Sequence, residues 1–96
     1  MYAVIGRVRI KPGREDEAFS MIRERGVDML RGMAGAQGGY WARTVDGEEL
    51  IQHSFWLFDE KEHARAAEAT FNTLRELPEA PAALVAVDVC EIVGQA

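Results

Sequence analysis

The stretch 38–58 contains two runs of strand-forming residues on either side of Asp46-Gly47, a dipeptide preferred in tight hairpin turns. A hairpin with one side in water alternates apolar and polar residues. The second run does not alternate in this way, and its two sets of alternating residues are Ile51, His53, Phe55 and Leu57, and Leu50, Gln52, Ser54, Trp56 and Phe58. Both faces of this strand therefore need a cover, and this requirement limits the folds open to the chain.

Hydrophobic periodicity along the chain predicts six elements in the order strand, helix, strand, strand, helix, strand. Asp59, three residues before Glu62, is typical of a capping box at the start of the second helix. Gly26 is a weak point within the first helix. The predicted ranges are 2–11, 14–33, 38–45, 48–58, 60–77 and 83–93.

This order predicts the α+β class and a ferredoxin-like βαββαβ domain over residues 1–96, with a four-stranded antiparallel sheet and two helices on one face. Two helices cover only one face of such a sheet. The other face carries too many large apolar residues to lie in water as one patch, so we expect a second copy of the chain to cover it in a homodimer. We also expect the partner to bury at least one aromatic residue of this hairpin, and Trp41 and Trp56 are the residues whose truncation tests this. The alternative is a monomer with an apolar open sheet face.

Composition excludes several classes of partner. The formal net charge is -5, with 16 acidic and 11 basic residues, whereas nucleic-acid-binding surfaces are usually basic. The single cysteine, Cys90, has no thiol to pair with, which favours a reducing compartment. The first residues lack the pattern of a signal peptide, and no apolar run approaches the roughly 18 residues of a membrane span. We therefore expect a cytoplasmic protein that binds neither nucleic acid nor membranes.

The spacing of ligating and nucleophilic residues predicts no metal, no cofactor and no covalent catalysis. His53 and His63 stand ten residues apart without a metal-binding motif. The Gly-rich segment 32–39 follows a predicted helix and precedes a strand, which is the reverse of a phosphate-binding loop. Ser20 and Ser54 lack the GxSxG context of a nucleophilic serine.

Several segments together resemble a known family over essentially the whole chain: YAVIGRVRIKPGREDEA, GAQGGYW and HSFWLFDEKEHARAA. They are similar to the antibiotic biosynthesis monooxygenase-like family of the dimeric α+β barrel superfamily. The resemblance implies the ferredoxin-like fold, a dimer, and an activity among those of the family, which include cofactor-free oxygenases of quinols and polyphenols as well as heme-degrading oxygenases. Heme-degrading relatives have an Asn in the first strand and a Trp and an axial His on the second helix, whereas this chain has Gly6, no Trp there, and His63 in the first turn. A heme role is therefore disfavoured, and we expect His63 to be solvated.

A pocket between the sheet and the helices is the predicted substrate site. Its expected walls and polar groups are Arg7, Tyr40, Trp41, His53, Phe55, Trp56, Phe71, Asp88, Met29 and Met33. His53 is the candidate base because its ordinary pKa lies near neutrality, and Tyr40 is the second candidate. The alternatives are that the aromatics are core packing, that His53 is a structural imidazole, and that Arg7 and Arg9 form cross-strand ion pairs with Asp88 and Glu91.

Two functions follow from these residues and from the resemblance. The first is a cofactor-independent monooxygenase of an aromatic quinol or polyketide-like substrate, in which the substrate anion reacts with dioxygen in a dry aromatic cavity. The second is a non-catalytic small-molecule-binding or accessory protein of the same fold. A void on the order of a few hundred cubic ångströms with a polar group at its end favours the first, and a cavity filled by side chains favours the second.

Overall fold

The computed structural model describes residues 1–96 and confirms the predicted ferredoxin-like fold. Its four strands form one antiparallel sheet in the order β2-β3-β1-β4. The first helical region is continuous but includes a π-helical turn, and the second ends in a 3-10 turn. The elements are β1 (Tyr2–Ile10), α1 (Glu15–Met21), the π-helical turn (Ile22–Gly26), α2 (Val27–Arg31), β2 (Ala36–Arg43), β3 (Ile51–Phe58), α3 (Lys61–Asn72), the 3-10 turn (Thr73–Glu76) and β4 (Ala82–Glu91).

The two faces of the sheet differ in what covers them. One face, which we call the helix face, packs against the helices and includes Val4, Val8, Ile10, Gln52, Ser54, Trp56 and Phe58. The opposite face, which we call the open face, includes Ile5, Arg7, Arg9, Ile51, His53, Phe55 and Leu57. Apolar residues of the open face are half-buried by their neighbours in the sheet and belong to neither hydrophobic cluster.

The main hydrophobic core lies between α3 and the centre of the helix face. Ala64 and Ala67 of α3 are buried there, and their small side chains let the helix approach the sheet closely. The Phe71 ring packs on Trp56 with a centroid distance of 4.3 Å. Phe71 also lies directly over Gly6 of β1, where an added Cβ atom would be 2.5 Å from Phe71 Cε1. Glycine at this position therefore sets how closely α3 approaches the sheet.

The predicted tight turn at Asp46-Gly47 is wrong, because residues 44–50 connect β2 to β3. The end of this connection follows β1 instead of β2: the Ile10 N–H donates to the Leu50 carbonyl across 2.9 Å, and Arg9 pairs with Glu49 at 3.2 Å. These contacts draw residues 49–50 towards the neighbouring strand and lengthen the loop.

The predicted capping box at Asp59 is also wrong, because Glu60 is the N-cap residue and no side chain bonds the backbone there. Instead, His63 Nδ1 donates to Asp59 Oδ1 across 2.7 Å. This hydrogen bond raises the pKa of His63 above its ordinary value and lowers the pKa of Asp59. His63 lies at the surface, as predicted, with 34% of its side chain exposed, and it is paired with a carboxylate.

The close approach of Phe71 to β1 makes Gly6 a sensitive position. We expect Gly6→Ala to lower the free energy of unfolding by about 1 to 3 kcal/mol, because the new methyl group overpacks the core against the Phe71 ring. Gly94→Ala is the control, since an added Cβ atom there has no neighbour within 4 Å. Urea unfolding of both variants measures the difference, and equal midpoints for Gly6→Ala and the wild type would contradict the packing described.

Candidate functional site

A cavity of about 310 Å³ lies between the helix face and the first helical region. The π-helical turn and α2 form one side of it, α3 and the 3-10 turn form another, and β3 lies at its base. Large apolar side chains make up most of the walls, among them Ile22, Met29, Trp41, Trp56, Phe71 and Leu74. The shape and composition are those of a site for a small apolar ligand.

Three residues of β3 that carry polar groups line this cavity, and we call those groups the polar floor: the side chains of Gln52 and Ser54 and the indole N–H of Trp56, which is itself fully buried. They occupy alternate positions of one strand and so point to the same face. Gln52 and Ser54 are 4% and 2% exposed, and Gln52 Nε2 donates to Ser54 Oγ across 2.9 Å. Polar side chains at buried strand positions are unusual, and here they give an apolar cavity one polar side.

The Trp56 indole N–H is the unpaired member of the polar floor. Trp56 is 3% exposed, and its Nε1 atom has no hydrogen-bond acceptor within the chain. A buried donor without a partner costs about 1 to 3 kcal/mol. Gln52 also has a second amide N–H beyond the one used by Ser54. Gln52, which lines the cavity, therefore has a donor free for an oxygen atom of a ligand.

A second depression of about 530 Å³, which we call the edge groove, lies outside the cavity along the edge strand β2. It shares Ile22, Trp41 and Gln52 with the cavity, so the two are contiguous around the Trp41 ring. The Arg43 guanidinium lies 5.4 Å from the centroid of the Phe19 ring within this groove.

The open face holds the other predicted site residues. His53 is paired with Arg7 in the β-ladder, and its Nε2 atom is 3.1 Å from Thr44 Oγ1. Phe55 lies between Ile5 and Tyr40, and Tyr40 is 70% exposed. The sheet separates all these side chains from the cavity.

The structure brings some of the residues of the predicted substrate pocket to this cavity and places others elsewhere. Trp41, Trp56 and Phe71 line the cavity, whereas Arg7 and Phe55 do not, because they project from the opposite side of the sheet. His53 and Tyr40 also lie outside the cavity, although Tyr40 borders the edge groove. Met29 lines the cavity, Met33 packs against the core instead, and Asp88 does not reach the cavity.

Two further expectations concern the hairpin tryptophans and the strand arginines. Trp56 is buried within its own chain and Trp41 lies with it on the helix face, so Phe55 and Tyr40 are the hairpin aromatics on the open face, where the partner is expected. The cross-strand ion pairs do not form, since Ala86 lies opposite Arg7 and Ile5 lies opposite Asp88, while Arg9 pairs with Glu49.

The polar floor was not predicted from the sequence. A signal for it is present in β3, where Gln52 and Ser54 share a set of alternating residues with Trp56 and Phe58. Polar residues that share a set with two large aromatic residues either face water or contact a buried ligand. Because the opposite set was also apolar, the sequence did not decide between these.

No group of three His, Cys, Asp or Glu side chains lies close enough together to hold a metal ion. None of the helices is both long and apolar enough to cross a bilayer.

Comparison with solved structures identifies a close likeness in fold. The structure of Rv0793 from Mycobacterium tuberculosis superimposes with a TM-score of 0.63 at 19% sequence identity, over 99% of this chain and 97% of that one. No protein-family model matches the sequence, and no curated protein matches it. The likeness to Rv0793 therefore supports a small α+β protein with this topology.

Proposed function

We propose that this protein is a cofactor-independent monooxygenase that binds an electron-rich aromatic molecule in the cavity above β3. The observation that carries the proposal is an apolar cavity of about 310 Å³ with the polar floor on one side. The sequence resemblance to the antibiotic biosynthesis monooxygenase-like family, which includes such enzymes, agrees with it. The single cysteine, Cys90, is partly exposed on β4, which favours a cytoplasmic setting.

The proposed reaction needs only substrate and dioxygen. The deprotonated substrate gives up an electron to O₂, and the two radicals combine to form a C–O bond and, with one proton, a hydroperoxide. Loss of water from the hydroperoxide gives a carbonyl group, so one oxygen atom stays in the product and the other leaves as water. The two electrons that reduce the second oxygen atom come from the substrate C–H bond, and no external reductant takes part.

The polar floor would assist the first step. Hydrogen bonds from the Gln52 amide and the Trp56 indole to the phenolate oxygen stabilise the substrate anion, and the apolar walls strengthen these bonds by excluding water. Neither group has a pKa near neutrality, so the floor favours the anion without accepting its proton. His53, the candidate base from sequence, lies across the sheet, and Tyr40 lies at the edge groove.

A second function stays open because of this placement of His53. A cavity that binds an aromatic molecule without a nearby base suits a non-catalytic binding or accessory protein. Turnover measurements distinguish the two functions.

We expect the protein to consume oxygen with at least one member of a panel of naphthols and quinols, with no loss of rate when a chelator is added. Gln52→Leu should lower that rate at least about tenfold. Removal of a sole oxyanion donor lowers a rate by roughly 10²–10³-fold, and the loss here is smaller because Trp56 still donates. His53→Ala is the matched control on the other side of the sheet and should retain the rate. Oxygen electrode measurements with both variants test this.

The pattern of losses separates the alternatives. A loss of about tenfold or more in His53→Ala with an unaffected Gln52→Leu would move the reaction to the open face. Binding of panel members without turnover would favour the non-catalytic function.

We also propose that a second copy of the chain covers the open face to form a homodimer. Ile5, Phe55 and Leu57 form a continuous apolar patch across two paired strands, and patches of this kind usually mark interfaces. Arg7 and Asp88 on the same face form no ion pair within the chain. In a two-fold dimer, Arg7 and Asp88 would each lie opposite the same face of the partner, and that face carries residues of the opposite charge.

Phe55 lies near the centre of the open face, so its side chain tests the interface. We expect a dimer for the wild type, and for Phe55→Ala a dissociation constant at least about 30-fold higher, equivalent to about 2 kcal/mol for a buried central aromatic. Val45→Ser is the control, since Val45 is 86% exposed in the β2–β3 connection. Size-exclusion chromatography with light scattering over a dilution series measures this. A wild type that is monomeric at micromolar concentration would contradict the interface.

A further inference from the structure

The charged residues around the cavity and the edge groove are all arginines. Arg25 is the one charged residue that lines the cavity, and Arg23 and Arg43 are the charged residues that line the edge groove. The whole chain has 16 acidic residues against 11 basic ones, so an all-cationic lining is opposite to the overall charge. This local excess of positive charge attracts anions.

These three arginines have no acidic partner within the chain, which is also true of Arg7 and Arg75. Arg23, Arg25 and Arg43 form no ion pair and no side-chain hydrogen bond. Four other arginines pair with carboxylates within the chain: Arg9, Arg14, Arg31 and Arg65. The guanidinium groups next to the cavity are therefore free to bind an anion from outside.

The π-helical turn accounts for this arrangement. It carries Arg23 to the edge groove and Arg25 to the cavity, while Ile22 lines both. π-helical turns are rare and occur frequently at functional sites. The same turn ends at Gly26, where an added Cβ atom would be 3.8 Å from Trp41 Cζ2, so the backbone lies against the ring that separates the two depressions.

Arg43 is held in place from the opposite side of the groove. Its guanidinium group lies over the Phe19 ring, an arrangement that keeps the charge and leaves the N–H groups at its edge free to donate. A planar guanidinium fits a carboxylate or sulfonate through two parallel hydrogen bonds.

We propose that the ligand of this site is an aromatic anion. Its rings lie in the cavity, and its carboxylate-type group lies at the mouth. Arg25 binds this group together with Arg23 and Arg43, which lie around Trp41. The proposed anion is the substrate class of the proposed function, and the position of its rings rests on that proposed function. The rings provide most of the affinity through burial of apolar surface, and the arginines select for the negative charge.

Two fluorescent probes that differ by one sulfonate group test the proposal. They are 8-anilinonaphthalene-1-sulfonate and N-phenyl-1-naphthylamine, which has the same ring skeleton without the sulfonate. We expect Arg25→Gln and the double variant Arg23→Gln/Arg43→Gln each to raise the Kd of the sulfonate about fivefold or more, as for a solvent-accessible ion pair at the strong end of its range. The Kd of the neutral probe should change less than about twofold, and added salt should weaken the binding of the sulfonate probe only.

Two controls complete the measurement. Arg65→Gln removes the same charge from α3, where Arg65 pairs with Glu68, and should leave both Kd values unchanged. Gly26→Leu adds a side chain at the cavity wall, and the backbone is not strained because the position is helical. This variant should weaken the binding of both probes.

The outcomes separate this inference from the function on which it rests. The anion inference would be overturned if the arginine variants changed the Kd of both probes equally, or changed neither. If Gly26→Leu still weakened binding of the neutral probe in that case, the cavity would remain a binding site. Binding of both probes that is insensitive to Gly26→Leu would place the ligand elsewhere and overturn both proposals.

Discussion

The structure depends on the central strand β3, which carries polar groups buried under the helices and apolar groups left on the open face. Its side under the helices carries Gln52 and Ser54, which are almost fully buried, and its open side carries Ile51, Phe55 and Leu57. Burying polar groups costs free energy unless they are hydrogen-bonded, and exposing a continuous apolar patch favours association. A strand with both features is unfavourable for a monomer with a filled core. It suits a protein that holds a ligand on one side of the sheet and a partner on the other.

The helices leave space above the polar floor because of where the bulky residues lie. Phe71 contacts Gly6 and stacks on Trp56, which fixes α3 over the centre of the sheet. The first helical region lies over the β2 side, where Leu30 reaches the core and the π-helical turn faces Trp41. The cavity lies between these two supports. Its position therefore follows from two close helix contacts with the sheet and needs no separate structural element.

The sequence was sufficient for the element order and the sheet, because these depend on periodicity. It was insufficient for assigning faces. Both sets of alternating residues in β3 are apolar, so Phe55 was assigned to the pocket although it lies on the open face with His53. Local motifs failed where a tertiary contact competed with them: Asp59 binds His63 instead of capping α3, and residues 49–50 follow β1 instead of closing a tight turn. The π-helical turn had no signal beyond a glycine in a helical pattern.

The indole N–H of Trp56 offers the most direct test of the claim that the cavity binds an aromatic ligand on its polar floor. In a ¹H–¹⁵N correlation spectrum the two tryptophans give two indole signals, and Trp41→Phe assigns them. Titration with 1-naphthol should move the Trp56 signal downfield to saturation as its unpaired donor gains an acceptor, while the ring protons of His53 across the sheet stay unchanged. Saturable shifts at His53 with an unmoved Trp56 signal would contradict the account and place the ligand on the open face.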